Sequence, residues 1–500
     1  MKKILKNNWQ IISLEILLLL VFIFFYGKFG DVMVDSLREA YIPEQMLSGK
    51  VLYKNIFCIY APLSYEINAF LIWIFGSSLK VFYFAGLFAS LGIFYFYQRI
   101  IEHFLSKNIA LVICLFAFAG LVLSPNVFNS FFPYSYGLLY GLLFSLISIY
   151  CVLKNKLYLS YFFYSLAICC KYEFVLLIIP LLFYSRKSSW VKNILALIIP
   201  FFFISILLYI QGVRFEDLIN VVSIIQTMGQ TSTLHWFYSV MGVYFQWKYF
   251  PLCLENFINF LIPVNWSKYC QILLWIFPVV LTLFAFRFKK LLPMEKFIIL
   301  VSVLISVKVF FAPVFGSYGA YFIPFALLAF FILIPHNIKR YFVFLLIVWT
   351  FITASINIKL LNNKSVKIQS EKGFIYTSPN KADGINEVLN YFKGVGKDKV
   401  IVAYPECLTI NYMLDVNSDN KFYSLIPLYV ETFGEDIISK RLDFQKPDYI
   451  VVSNDNMYLY KFSEFGVDYA TNVMKKIEND YLLVKIFDTG MKFKIYARKN

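Results

Sequence analysis

The chain has 500 residues, of which 60% are hydrophobic and only 15% are charged, and its mean hydropathy is +0.67. Soluble domains are about half apolar and about a quarter charged, so this composition excludes a water-soluble protein and predicts an integral membrane protein. The formal net charge is +16, and nearly all of it comes before residue 364. Because these cations flank apolar segments and no nucleic-acid recognition module is visible, we expect membrane lipids rather than nucleic acid as their partners.

Apolar segments of span-like length fill the first part of the chain. They cover residues 11–26, 62–97, 108–124, 131–153, 157–184, 192–210, 269–286, 294–313, 318–335 and 341–358. Basic clusters mark the cytoplasmic side of membrane proteins, and four of them agree under simple alternation: those at 2–6, 186–192, 287–290 and 339–340. The pattern predicts about 11 net crossings of a bacterial-type inner membrane, with the N-terminus in the cytoplasm and the C-terminal tail outside it.

The first predicted loop outside the cytoplasm, residues 26–60, has four acids within a short stretch: Asp31, Asp35, Glu39 and Glu44. On spacing alone, a solvated helix at the membrane surface is the simpler interpretation. The alternative is chemistry, because a carboxylate close to the end of a span is partly desolvated. Desolvation raises its pKa toward the neutral range that suits a general base, and Asp35 is placed for that role.

Residues 62–97 and 157–184 are both longer than one crossing needs. If the first crosses twice and the second once, Arg99 and Lys154 lie outside the cytoplasm, against the charge rule. We favour the alternative, in which 62–97 crosses once in net terms and 157–184 divides at the sequence CCKYE into two short crossings.

The CCKYE sequence places two ionisable residues, Lys171 and Glu173, inside a long apolar segment. Charges at membrane depth usually face a cavity or pair with one another. A local structural pair and a site for an anionic ligand are therefore both open interpretations. The favoured topology puts both residues near the outer surface.

The long predicted outer loop, residues 211–268, is rich in aromatic side chains. These side chains can stack on a sugar or an isoprenoid, but an interfacial aromatic belt is the simpler interpretation. The eight cysteines and three histidines of the chain are scattered, without the spacing of a metal site. We therefore predict no cofactor, with a divalent metal left as an open alternative.

After about residue 360 the pattern changes to short β-rich runs and amphipathic stretches. KVIVAYP and PDYIVVSN are typical of strands, and DGINEVLNYFKG and EDIISKRLDF are typical of helices. The sequence thus predicts a transmembrane domain over 1–360 and a small soluble extracytoplasmic α/β domain over 361–500. Glu406 ends one predicted strand, where it either faces the membrane domain or belongs to a strand-end turn, and the turn is the simpler interpretation.

The leaving group determines how many carboxylates a sugar-transfer site needs. A glycoside hydrolase needs two opposed carboxylates, because its alkoxide leaving group must be protonated. A sugar that leaves from a lipid phosphate needs only one base and fixed cations for the phosphate. The candidate cations are Arg38, Lys50, Lys54 and Lys171.

An ordered string of residues supports this chemistry. A lysine-rich N-terminus and a first span are followed by Asp35 in DSLREAYIPEQML, Gly49 and Tyr53 in LSGKVLYKNI, Pro62 and Tyr65 in APLSY, Phe75-Gly76, and Lys171 in AICCKYEF. In this order the residues resemble the GT-C superfamily of polyprenyl-phosphate-sugar-dependent glycosyltransferases. The resemblance is to the branch of protein O-mannosyltransferases and aminoarabinose transferases.

The resemblance implies a GT-C-like membrane fold and an inverting hexosyl or pentosyl transfer. The donor would be a polyprenyl-phosphate-linked sugar, and the acceptor a lipid, glycan or protein. By this likeness Asp35 is the general base and Lys171 a ligand of the donor phosphate. The other predicted substrate-binding residues are Arg38, Glu39, Lys54, Tyr60 and Glu173, with Asp31 as a candidate second acid. A lipid-linked-sugar flippase or transporter is the alternative function, although no internal repeat of broken spans is visible.

Overall fold

The structure is a computed structural model that describes residues 2–185, 190–241, 291–310, 321–395, 398–416, 418 and 421–499. The predicted span at 269–286, the second part of the long outer loop and the basic cluster at 287–290 lie outside these residues.

Apolar helices build the first part of the chain. In chain order the described helices are α1 (Lys2–Phe24), α2 (Asp35–Leu47), α3 (Leu63–Phe75), α4 (Leu79–Phe104), α5 (Lys107–Leu121), α6 (Tyr136–Leu153), α7 (Leu157–Cys170), α8 (Ile178–Tyr184), α9 (Trp190–Ile210), α10 (Phe215–Gln230), α11 (Ser232–Met241), α12 (Pro293–Phe310), α13 (Ile323–Leu333) and α14 (His336–Asn362). Four of them, α4, α6, α9 and α14, are long and apolar enough to cross a membrane. Large apolar side chains cover the outer surface of α9 and α14, which is the surface that lipid requires. The chain is an integral membrane protein.

Helix α4 runs from one end of the helical bundle to the other. The backbone N–H of Leu79, its first residue, donates to the carbonyl of Lys372 in the C-terminal tail (2.8 Å). Arg99 lies about 30 Å further along the helix by helical rise, and its Nη2 donates to Oδ1 of Asn8 near the N-terminus (2.9 Å). The tail and the N-terminus are thus at opposite ends. The total of eleven crossings stays a prediction, because 242–290 lies outside the described residues.

Helix α3 begins and ends at the tail end of the bundle. The hydroxyl of Tyr65, in its first turn, donates to Glu39 Oε1 (3.1 Å), and Ser77, just after its end, bonds the Tyr412 hydroxyl of the tail (3.3 Å). Its 13 residues give a length of about 20 Å, too short to span a bilayer. Within 62–97 the structure thus has one helix of spanning length, α4, and the single net crossing of this segment stays a prediction.

The segment 157–184 breaks where the sequence predicts. Helix α7 ends at Cys170, Lys171 has an extended backbone, and a 3₁₀ helix (Tyr172–Leu177) leads into α8. The Tyr161 hydroxyl, near the start of α7, bonds Ser185 after the end of α8 (2.7 Å). The chain therefore doubles back at Lys171, which lies at the tail end of the bundle.

The tail folds as a small α/β domain after α14 ends at Asn362. It contains a hairpin of β1 (Val366–Ser370) and β2 (Gly373–Thr377), and a four-stranded sheet of β3 (Ile401–Tyr404), β4 (Tyr449–Ser453), β5 (Tyr481–Phe487) and β6 (Phe493–Arg498). The strand order in the sheet is β3-β4-β6-β5, and only β3 and β4 are parallel. Its helices are α15 (Pro379–Tyr391), α16 (Leu408–Leu414), α17 (Pro427–Phe433), α18 (Glu435–Gln445) and α19 (Thr471–Asp480).

The tail domain is attached to the first loop of the membrane domain by buried contacts. The N–H of Leu408 donates to the Met33 carbonyl (2.7 Å). Lys372 forms ion pairs with Glu44 of α2 and with Asp415 of its own domain. A continuous hydrophobic core also runs from the membrane helices into the tail. The tail domain therefore closes over the loop that carries the predicted site.

Candidate active site

A cavity of about 710 Å³ lies between the end of the helical bundle and the tail domain. The start of α2, the loop before α3, the break after α7, helices α10 and α11, and the tail domain all contribute to its wall. Its titratable lining residues include acids and bases from distant parts of the chain: Asp35, Arg38, Lys171, Glu173, Glu406 and Asp455. The cavity is the natural candidate for a binding site, because it is concave and combines apolar walls with converging polar groups.

Asp35 is the first residue of α2, and Asp31 fixes its position. Oδ2 of Asp31 accepts hydrogen bonds from the backbone N–H groups of Met33, Val34 and Asp35 at 3.0, 2.9 and 3.2 Å. Such a carboxylate satisfies the unpaired donors at the start of a helix. Asp31 itself lines a smaller neighbouring pocket instead of the cavity, so the structure gives the candidate second acid a capping position.

The Asp35 carboxyl group projects into the cavity. Its side chain is 39% exposed, and the residue lines the cavity. Desolvation raises the pKa of Asp35 to about 6, although the Arg38 guanidinium opposes the rise, and Asp31 adds to it. A carboxylate with this pKa is largely ionised at neutral pH and is a stronger base than an ordinary aspartate.

Arg38 is a buried cation one helical turn after Asp35. Its Nη2 donates to the carbonyl oxygen of Tyr134 (2.7 Å), and its Nη1 lies 3.5 Å from Oδ1 of Asp35. The guanidinium lies 4.6 Å from the centre of the Tyr60 ring, within the range of a cation–π contact. These contacts hold the guanidinium in place at the cavity wall.

Glu39 lies behind Arg38 and away from the cavity. Its Oε1 is 3.5 Å from Arg38 Nε and accepts from the Tyr65 hydroxyl (3.1 Å), while its Oε2 accepts from the N–H of Tyr136 (2.9 Å). Burial raises the pKa of Glu39, and Arg38 and these hydrogen bonds oppose the rise. Because both oxygens are occupied, the structure places Glu39 as a support for Arg38 rather than in contact with a ligand.

Lys171 brings a second buried cation to the same wall. Its Nζ donates to the Tyr134 hydroxyl (3.0 Å) and lies 3.9 Å from Oε1 of Glu173. The Tyr60 and Tyr134 rings are each within 6 Å of both Lys171 and Arg38. Two fixed cations thus converge around one pair of aromatic rings, an arrangement suited to a phosphate group in a low-dielectric site.

The structure brings together five of the predicted site residues in this cavity: Asp35, Arg38, Tyr60, Lys171 and Glu173. It does not bring Lys54 to them. Lys54 is exposed and is absent from the cavity wall, because the loop turns its side chain outward. The site proposed below therefore omits Lys54.

The tail domain contributes two acids to the cavity: Glu406, which the sequence places at a strand end, and Asp455, which the sequence does not single out. Glu406 and Asp455 follow β3 and β4, which are parallel, so both residues lie at the same edge of the sheet. Ser424 Oγ donates to Oε2 of Glu406 (3.0 Å). Burial and the nearby Asp35 and Asp455 carboxylates raise the pKa of Glu406 well above its usual value. The signal in the sequence was an acid just after each of two predicted strands.

Part of the long loop also reaches the cavity. Leu234 and Phe237 of α11 line it, and the Phe237 ring stacks on Tyr460 of the tail domain at 4.9 Å and 12°. Glu431 of the tail accepts the N–H groups that begin α11. An interfacial belt is therefore not the whole explanation of the aromatic residues in this loop, since one of them packs on the candidate site.

A metal site is not visible in the part of the chain that the structure describes. Within those ranges no group of three or more His, Cys, Asp or Glu side chains is placed to hold a metal ion. The expectation of a cofactor-free protein stays a prediction.

No protein-family model matches the chain, and no curated protein sequence matches it. Among solved structures, the chain is similar to the crystal structure of ArnT from Cupriavidus metallidurans bound to undecaprenyl phosphate. The alignment covers 98% of each chain, with 11% identity and a TM-score of 0.46. The function proposed below is inferred from the residues of the cavity.

Proposed function

We propose that this protein is a membrane glycosyltransferase that uses a polyprenyl-phosphate-linked sugar and acts at the tail end of its helical bundle. One observation carries the proposal: a carboxylate of raised pKa, Asp35, shares a cavity with two buried cations, Arg38 and Lys171. The cations suit the donor phosphate, and the carboxylate suits a hydroxyl that must lose a proton. In the predicted orientation this end of the bundle is outside the cytoplasm.

The reaction is a single displacement at the anomeric carbon. The hydroxyl oxygen of a lipid, glycan or protein acceptor attacks this carbon, and its proton passes to Asp35. The bond between the anomeric carbon and the phosphate oxygen breaks, and the polyprenyl phosphate leaves with the electron pair. Attack from the face opposite the leaving group inverts the configuration. No acid is needed for a phosphate leaving group, which explains why a single carboxylate is sufficient.

Arg38 and Lys171 stabilise the negative charge that grows on the departing phosphate. Their positions are fixed before the substrate binds, because Arg38 is held by the Tyr134 carbonyl and Lys171 by the Tyr134 hydroxyl. Preorganised charges of this kind need no reorientation during the reaction, and they favour the transition state over the bound donor. Glu173, beside Lys171, helps to orient its ammonium group.

The first test removes the proposed base and keeps its shape. Membranes with Asp35→Asn should transfer labelled sugar from a polyprenyl-phosphate donor about 10²–10⁴-fold more slowly than wild type, the range for a lost general base. Asp436→Asn, which alters an exposed acid of the tail domain, is the matched control and should retain full transfer. If Asp35→Asn transfers sugar as fast as wild type at the same protein level, Asp35 has no part in the mechanism.

The same preparation separates the enzyme from a flippase. Wild-type protein in proteoliposomes is given the lipid-linked sugar in one leaflet, and both transfer to acceptor and movement between leaflets are followed. The proposal requires transfer. Movement of the lipid-linked sugar with no transfer would favour the flippase instead.

A further inference from the structure

Two buried tyrosines of the tail domain face the cavity with unused hydroxyl groups. Tyr423 and Tyr429 are 5% and 8% exposed, and both line the cavity. Neither hydroxyl makes a hydrogen bond to any residue that the structure describes. Because both hydroxyl groups open into the cavity and are not enclosed by packed side chains, they are available to hydrogen-bond a polar ligand there.

Two acids of the tail domain, Asp455 and Glu406, also line this side of the cavity. Asp455 lines the cavity and forms no ion pair within the described ranges. Burial raises the pKa of Asp455, and Lys381, which lies outside the cavity wall, opposes the rise. Burial and the Asp35 and Asp455 carboxylates raise the pKa of Glu406, at the neighbouring strand end, well above its usual value, which favours the protonated form. A protonated carboxyl group donates and accepts hydrogen bonds, whereas an ionised one only accepts.

An aromatic surface completes this side of the cavity. Tyr460 lies nearly parallel to Phe237, at 4.9 Å between ring centres and 12° between planes, and both line the cavity. Flat aromatic rings pack against the C–H face of a sugar, while carboxylates and hydroxyls bind its hydroxyl groups.

The distribution of charge gives the cavity two different sides. Both basic residues on its described wall, Arg38 and Lys171, come from the membrane domain. The charged or ionisable side chains that the tail domain contributes to that wall are acids and tyrosines, beside apolar residues. An anionic group is therefore attracted to the membrane side and repelled from the tail side, which favours a neutral group rich in hydroxyls.

We propose that the tail domain supplies the sugar-binding half of the site, with Asp455, Glu406, Tyr423 and Tyr429 binding the hydroxyl groups of an uncharged sugar. This inference rests on the proposed function, since it takes the phosphate of the donor to lie on the cations of the membrane domain. The tail domain then determines which sugar is accepted, and a sugar that carries a carboxylate is disfavoured by repulsion from Asp455.

The experiment measures binding of four lipids to the purified full chain in nanodiscs. The probes are undecaprenyl phosphate alone and its esters with glucose, mannose and glucuronic acid. For wild type, at least one neutral ester should bind about tenfold or more tightly than the bare lipid phosphate, the scale of one or two hydrogen bonds to charged groups. The glucuronic acid ester should bind no more tightly than the bare lipid phosphate.

Two variants test the residues. Asp455→Asn and Tyr423→Phe should lose most of the tenfold gain that the sugar provides while binding bare undecaprenyl phosphate as wild type does. Tyr423→Phe removes a single oxygen atom and keeps the ring, so it tests the hydroxyl even where the acid variant folds poorly. Asp436→Asn is the control for the tail domain and should keep the full gain.

A second pair of variants locates the phosphate. Lys171→Met should weaken binding of bare undecaprenyl phosphate, and Lys54→Met, an exposed cation of the first loop, should not. If no neutral ester binds wild type more tightly than the bare lipid phosphate, or if both tail variants keep the full gain, the sugar-binding role of the tail domain is wrong and the phosphate site stands. If wild type binds no undecaprenyl phosphate at all, the proposed function and this inference both fall.

Discussion

At the scale of single residues, the environment of Asp35 comes from neighbours a few positions away in the chain. Asp31 occupies the N–H groups at the start of α2, and Arg38 places its guanidinium beside the Asp35 carboxyl group. Enclosure by the tail domain adds desolvation, which raises the pKa of Asp35 to about 6. The four acids that the sequence shows as one charge cluster thus occupy four different positions: Asp35 is the proposed base, Asp31 caps α2, Glu39 supports Arg38, and Glu44 pairs with Lys372 of the tail.

This pKa predicts how transfer depends on pH. Asp35 accepts a proton only when it is ionised, so the rate should be low below pH 6, reach half of its plateau near pH 6, and level off above pH 7. Initial rates of sugar transfer between pH 4.5 and 8, in membranes pre-incubated at each pH and returned to pH 7.5 as a stability control, would measure the profile. A flat profile across pH 5–7 would contradict the assignment of Asp35 as base.

The sequence singles out the charged residues of the membrane side, but on the tail side it marks only Glu406, with a strand-end turn as the simpler interpretation. Asp35, Arg38 and Lys171 stand out because charges are rare among apolar residues. A charged side chain at membrane depth is costly, so it usually has a partner or a function. Acids are common in the tail domain, so an acid just after a predicted strand is only a weak signal there. Only the pairing of β3 with β4 places Glu406 and Asp455 together, and strand pairing is a long-range property that one sequence does not reveal. Lys54 was predicted as a ligand from its charge, but the direction of a loop side chain is not encoded in local spacing.

At the scale of elements, helix breaks and strand ends position the site. The tail strands predicted from β-rich runs are β3 (Ile401–Tyr404) and β4 (Tyr449–Ser453), and both form within the predicted stretches. The break at Lys171 was also predictable, because a charged pair in the middle of an apolar segment disfavours an uninterrupted span. The return of α3 to its starting side was favoured only through the charge rule for loops, since its 13 residues alone do not distinguish a short span from a surface helix.

Helix α2 provides a prediction about Asp31. As a cap, Asp31 needs only an oxygen acceptor, so Asp31→Asn should keep near-normal transfer, whereas Asp31→Ala should lower stability by about 1 kcal/mol and displace Asp35. Thermal unfolding in detergent and transfer assays on both variants would measure the difference. Equal loss of transfer in the asparagine and alanine variants would instead show that Asp31 takes part through its charge.

At the scale of the whole molecule, the site exists only where two domains meet. Its cations come from the helical bundle, and its other acids and unused hydroxyls come from the sheet domain. The buried contacts around Lys372, Leu408 and the continuous core hold these halves at a fixed distance. Sequence patterns predicted both domains but not their contact, because the contacting residues are ordinary polar and apolar side chains in each.

The ion pairs of Lys372 test this attachment. Lys372→Met leaves Glu44 and Asp415 facing each other without a cation, which should destabilise the folded protein by about 1–3 kcal/mol. The loss is below that of a fully buried pair because Asp415 is 45% exposed. Transfer should fall together with the melting temperature. Lys492→Met removes an ion pair between exposed side chains of the same domain. This control variant should change neither the rate of transfer nor the melting temperature. An equal effect of both variants would contradict a special role for the interdomain pair.

The direction of the β3 and β4 strands has a consequence for how such a protein diversifies. Their carboxyl ends face the cavity, and segments that follow strand ends tolerate insertion and substitution far better than the sheet or a membrane span does. If the tail domain binds the sugar as proposed, mutations there would alter the choice of sugar and leave lipid anchoring, phosphate recognition and the packed bundle intact. Proteins of this architecture would then share a nearly constant membrane half and differ in short stretches that correspond to 405–407 and 454–460. A natural change of donor should be sought in these stretches, and an altered donor preference should be engineered there.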